Sequence, residues 1–142
     1  MTEQKNAGPQ EGVVPKVIDV AEWRQRLDGI AGLNAELGLY RIRGNLEGYK
    51  RILKAFLSGH AEEVVQLADA LASGDLATLK DIAHSLKGSG GTIGAERLAQ
   101  VATVLDAALR NKAESAEIEV NTVTLISELS MLVDGIRGAL QL

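Results

Sequence analysis

Proline occurs twice in this chain, at Pro9 and Pro15, and nowhere after them. Proline removes a helix-ladder donor and clashes with the preceding turn, so its absence leaves room for long uninterrupted helices. The apolar pattern uses that room. After Asn45, which reads as an N-cap, Leu46, Tyr49, Ile52, Leu53, Phe56, Val64, Leu67 and Leu71 keep one face over about seven turns, ending at Ser73-Gly74. A second helix is predicted after Gly74-Asp75, a C-cap glycine followed by an N-cap aspartate, with Leu76, Leu79, Ile82, Ala83 and Leu86 on one side. A third runs from about Ala95 to Arg110, with Leu98, Val101, Ala102, Leu105 and Leu109 inward. A polar connection over 111–117 leads to the last, about Ile118 to Leu140, whose stripe is Ile118, Leu125, Ile126, Leu129, Leu132, Val133, Ile136 and Leu140. Strand alternation is nowhere sustained. The expected fold is all-α: an antiparallel up-and-down four-helix bundle with an additional short N-terminal helix as a lid.

That short helix starts near Ile18. Asp19 and Glu22 have the spacing of a capping box, and Ile18, Trp23, Leu27 and Ile30 give one apolar face. Trp23 is read as a plug closing one end of the bundle rather than as a ligand-stacking ring. Glycines at 29, 32, 38 and 44 break any long helix there, leaving short turns for Leu33, Leu37, Leu39 and Ile42 to pack. Residues 1–17 are polar, hold both prolines and show no sustained period, so they read as a flexible leader or linker, with the bundle over 18–142. At 142 residues with 46% apolar and 3% aromatic content, Leu, Ile, Val and Ala fill one core.

Composition also excludes several functions. Without cysteine there is no disulfide framework or thiolate metal site. A net charge of −4 argues against nucleic acid or anionic membrane as the main partner, while a local basic patch still suits an acidic protein. No run of 18 apolar residues is present for membrane insertion and the start is unlike a signal peptide, so a cytoplasmic location is the expectation.

The chemistry concentrates in Ala83-His84-Ser85-Leu86-Lys87-Gly88-Ser89-Gly90-Gly91-Thr92-Ile93-Gly94-Ala95. On a helix, Leu79, Ile82 and Leu86 fall roughly 140–160° from His84, which therefore points to solvent. Within about 60° of it lie Ala77, Lys80, Asp81, Lys87, Gly88 and Gly91. Surface glycine costs a helix about 1 kcal/mol relative to alanine. Gly88 and Gly91 instead clear the approach to the imidazole for a large partner, with Ala77 and Lys80 at the rim as partner-binding residues. The other histidine, His60, lies in the apolar stripe between Phe56 and Leu67 and reads as a hydrogen-bonded core-edge residue. Two histidines on different helices, with no clear carboxylate cluster, do not make a metal site.

Imidazole has a reference pKa of about 6.5, so its neutral form is available as a nucleophile near neutral pH. Phosphoryl transfer suits the setting, because Lys87, with Lys80 near, can offset charge on phosphoryl oxygens. The glycine-rich run 88–94 follows a helix rather than a strand and lacks the Gly-Lys-Ser/Thr ending of a P-loop, so it is no nucleotide cradle. Neither a nucleotide site nor space for a kinase domain is evident, which argues against an autokinase.

His84-Ser85-Leu86-Lys87-Gly88-Ser89, continuing to Gly94-Ala95, resembles the signature of histidine-containing phosphotransfer (HPt) domains of bacterial multistep phosphorelays. The likeness extends to Gly44-Asn45, Tyr49, Phe56 and the alanine-rich 98–109 helix, covering about residues 35–140. One departure is Gly90, where Ala or Ser is commoner. The resemblance implies a monomeric four-helix bundle in which His84 is phosphorylated by the receiver domain of a hybrid sensor kinase and passes the group to a response regulator receiver. It also implies that Lys87 assists electrostatically, Gly88 gives clearance, and Mg²⁺ resides on the receiver, this chain having no cofactor of its own. A non-catalytic helical docking module that sequesters a signalling partner is the alternative.

Overall fold

The computed structural model describes residues 19–141, and the leader assigned to 1–17 lies outside them, as do Ile18 and Leu142. Among the described residues seven helices follow one another: α1 (Val20–Asp28), α2 (Ala35–Arg41), α3 (Leu46–His60), α4 (Glu63–Ser73), α5 (Leu76–Ile93), α6 (Glu96–Arg110) and α7 (Ser115–Leu140). No strand occurs among the described residues. Nor is any described helix long and apolar enough to cross a membrane.

Local chemistry sets the boundaries. Asp19, Asn45 and Asp75 each cap a helix by accepting the backbone N–H three residues on, at 2.8, 2.9 and 3.2 Å. Gly74 and Gly94 close α4 and α5 at φ 74° and 90°, in the left-handed region where glycine is least strained.

The long helix expected over 46–73 is interrupted at Ala61-Glu62, which stay in the right-handed region, so α4 continues the path of α3. Ser58, Gly59 and His60 precede the interruption, a run of weak helix formers. Side chains cross it: His60 Nδ1 donates to Glu63 Oε1 at 2.6 Å, and Nε2 lies 2.9 Å from Ser89 Oγ on α5.

The four walls are α3–α4, α5, α6 and α7. α5 packs on α6, α6 on α7, α7 on α4 and α4 on α5. The two-residue connections Gly74-Asp75 and Gly94-Ala95 join packed neighbours in a helical bundle. Leu67, Leu79, Leu86, Leu105, Leu125 and Leu129 are fully buried at the centre. Each contributes on the order of 1.5–3 kcal/mol by leaving water. α1 lies against α2 and α7, with Trp23 buried and Lys50 Nζ 4.1 Å from its ring centroid.

The glycine-broken stretch holds α2, whose position has a specific purpose. The last carbonyls of any helix lack intrahelical donors. At the end of α5, Ala95 N donates to Gly90 O at 2.8 Å, Asn34 N to Gly94 O at 2.9 Å, and the buried Tyr49 hydroxyl to Ile93 O at 2.6 Å. The Arg41 guanidinium donates to Gly91 O. Gly38 makes this approach possible, since a Cβ there would sit 2.6 Å from Ile93 O. Burial pushes the Tyr49 hydroxyl up from its ordinary pKa, so it stays a donor across the physiological range. Tyr49→Phe strands a buried carbonyl and is expected to cost about 1–3 kcal/mol. A lower urea midpoint with unchanged helical circular dichroism in buffer is the expected result; an unchanged midpoint would show that the Ile93 carbonyl needs no partner.

Candidate functional site

Helix α5 has two faces that meet opposite demands. Its inner face buries Leu79, Ile82, Ala83, Leu86, Gly90 and Ile93. Gly90 sits against α6, where a Cβ would lie 3.2 Å from Ala95 O and 3.3 Å from Ala99 N, so the absent side chain lets the two helices close up. The outer face carries His84, exposed in the middle of the helix, with Ala77 and Lys80 also exposed. Among the described residues, neither the His84 ring nor the Lys80 ammonium has a hydrogen-bond or ion-pair partner. A Cβ added at Gly88 or Gly91 would meet nothing within 4 Å. The surface beyond the imidazole is therefore low along the helix for two turns. Gly91 is half-buried, since the Arg41 side chain covers its carbonyl.

On one flank of this face, α3 and α5 leave a groove of about 290 Å³ lined by Ile52, Ala55, Phe56, His60, Ser89, Thr92 and Ile93. His60 is 9% exposed and engaged at both ring nitrogens, and its ring centroid is 4.7 Å from that of Phe56. It is part of the wall, not a second free imidazole. Among the described residues no three His, Asp or Glu side chains gather to hold a metal.

On the other flank, the structure gives Lys87 a partner absent from the sequence reading. Its Nζ lies 3.3 Å from Oδ2 of Asp106 on α6, and Arg110 Nε lies 3.4 Å from the same oxygen. The Asp106 side chain is 3% exposed, against 37% for Lys87 and 52% for Arg110. Burial by itself raises the Asp106 carboxyl, but hydrogen bonds and charge from Lys87 and Arg110 outweigh it and hold the group below the usual carboxylate range. The signal in the sequence was an aspartate inside the inward stripe of α6, one helical turn after Ala102.

The arrangement offers a solvent-facing nitrogen nucleophile on a rigid helix, cleared on its C-terminal side, with one free lysine a turn before it and one tethered lysine a turn after it. Comparisons with known proteins agree with this geometry. The Hpt domain family model matches residues 51–139. Among solved structures, the crystal structure of the HPT domain from a sensor hybrid histidine kinase of Shewanella is similar, with a TM-score of 0.71 and 23% identity, covering 77% of this chain and 93% of that one. At that identity the likeness establishes the fold. Comparison with curated proteins found no match. With more than half of its length matched by that family model, the chain belongs to the Hpt domain family, the histidine phosphotransfer domains of two-component phosphorelays.

Proposed function

We propose that His84 accepts a phosphoryl group from the aspartyl phosphate of a hybrid kinase's receiver domain and passes it to the receiver of a response regulator. The observation that carries this reading is the exposed, unpartnered imidazole bordered by two glycines at which a side chain would meet open space. A nucleophile must reach phosphorus in line with the leaving oxygen, about 3–3.5 Å away at the start of reaction. On a convex helix that demands a partner surface pressed close around the ring. Gly88 and Gly91 remove the side chains that would hold it off.

The step conserves charge and protons within the pair. An imidazole nitrogen attacks phosphorus, the P–O bond to the receiver aspartate breaks, and the electron pair leaves on its carboxylate. The other ring nitrogen keeps its proton. Delivery to the second receiver is the reverse exchange, so one surface serves both. The partner contributes the aspartate and Mg²⁺; this chain contributes a positioned nucleophile and the ammonium groups of Lys80 and Lys87. The two receivers share the His84 face, completed by exposed residues of α3, in a small and transient interface of a monomer. Location in the cytoplasm, where receiver domains act, fits this reading.

Incubation with a phosphorylated receiver and Mg²⁺ is expected to place acid-labile, base-stable phosphate on the protein and none on His84→Gln. Equal labelling of His84→Gln would contradict the assignment, and tight binding without transfer would leave a docking module instead. Donor and acceptor receivers are expected to compete in a binding assay; a ternary complex would refute the shared face.

Gly88 separates folding from docking. Gly88→Ala is expected to raise stability by up to about 1 kcal/mol, from helix propensity alone. Gly88→Leu should fold normally yet slow transfer by about tenfold or more, through a weaker complex. Wild-type transfer by Gly88→Leu would show that clearance beside His84 is not needed.

A further inference from the structure

Asp106 is a charge where the α6 stripe calls for a hydrocarbon. Leu98, Val101, Ala102 and Leu105 are buried on the same side. Leucine at 106 would pack there without desolvating a carboxylate, and buried ion pairs add little net stability over such packing. The carboxylate therefore asks for a reason other than stability. Its partners supply one, because the ammonium it holds is one helical turn from His84, where residues three apart are surface neighbours.

We propose, on the reading of His84 given above, that Asp106 is a positioning residue for phosphotransfer. It holds Lys87 beside His84 in the unphosphorylated protein and releases it to the phosphoryl oxygens as the N–P bond forms. Two features make it a releasable tether. Lys87 and Arg110 contact the same oxygen, so when the ammonium leaves, the guanidinium stays and the buried carboxylate is not left without a cation. Lys87 is also partly exposed, so its ammonium can move without crossing the core. The lysine stem pivots from a carboxylate to an incoming dianion, exchanging one charge-assisted hydrogen bond for another. The bonds made and broken are those of the transfer step, and no proton moves between Lys87 and Asp106.

The folded pKa of Asp106 lies below its ordinary value, so its ionised state and the tether's contribution are present above the usual carboxylate range and lost only as pH falls through the lowered value. The tether is thus constant through neutral pH.

The test is a double-mutant cycle on transfer from a phosphorylated receiver, using wild type, Asp106→Asn, Lys87→Ala and the double variant, with urea unfolding to establish that each is folded. Asp106→Asn is expected to slow maximal transfer several-fold, up to about tenfold, with little change in the receiver concentration giving half-maximal rate. In the Lys87→Ala background the same change should have no further effect. Wild-type rates in folded Asp106→Asn, or effects that simply multiply in the double variant, would overturn the proposal. Should Asp106→Asn not fold, Arg110→Gln serves instead. Without the guanidinium the carboxylate should hold Lys87 more tightly and transfer should slow, again only when Lys87 is present; an unchanged or Lys87-independent rate contradicts the tether. Failure of the wild type to accept phosphate would defeat the functional reading itself, whereas normal wild-type transfer with an indifferent Asp106 defeats only this inference.

Discussion

Helix α5 must remain helical while carrying Gly88, Gly90 and Gly91 in its last two turns, and the rest of the structure answers that constraint. Each glycine costs about 1 kcal/mol of helix propensity relative to alanine. Left alone, the end of α5 would fray and His84 would lose its fixed bearing. Burial of Leu86 and Ile93 offsets part of the cost. Close packing against α6 at Gly90 adds to it. So do the donors brought by Asn34 to Gly94 O, by Tyr49 to Ile93 O, and by Arg41 to Gly91 O, which also accepts from Gly94 N. α2, which packs on α5, is best understood as a clamp on this end.

The same helix separates two kinds of histidine. His60 and His84 differ in what surrounds the ring, not in the residue: one is walled in by Phe56, Glu63 and Ser89, the other is exposed and has no hydrogen-bond partner among the described residues. Phosphoryl acceptance requires an unengaged nitrogen, and only the second arrangement provides it. The nearby cations divide in a parallel way. Lys80 has no ion-pair partner among the described residues, while Lys87 is held by Asp106 at a set place.

Much of this was legible in the sequence, for reasons that can be named. The apolar stripes of α5, α6 and α7 have a period of 3.6 and no competing signal, so the bundle and the outward bearing of His84 follow from helix geometry. Asn45 marks the start of α3, and Asp75 and Gly94 mark the two ends of α5, through chemistry confined to three or four residues. What escaped depends on contacts distant along the chain. The interruption at Ala61-Glu62 falls within an unbroken apolar stripe. The clamp by α2 relies on Gly38 meeting Tyr49 and Ile93, and periodicity says nothing of such a meeting. Gly90 stood out in the sequence only as a departure from the commoner Ala or Ser, yet it lies where α6 comes close. The partner of Lys87 is on another helix. It left only the trace of one aspartate among leucines.

The account stands on a single bond, phosphorus to an imidazole nitrogen of His84. Labelling the histidines with ¹⁵N, phosphorylating the protein from a receiver, and recording ³¹P and ¹⁵N spectra observes that bond directly. A one-bond nitrogen–phosphorus coupling on the His84 ring, with the His60 resonances free of coupling, is the predicted result. Phosphorus coupled to His60, or phosphate on the protein with no nitrogen coupling at all, would contradict it.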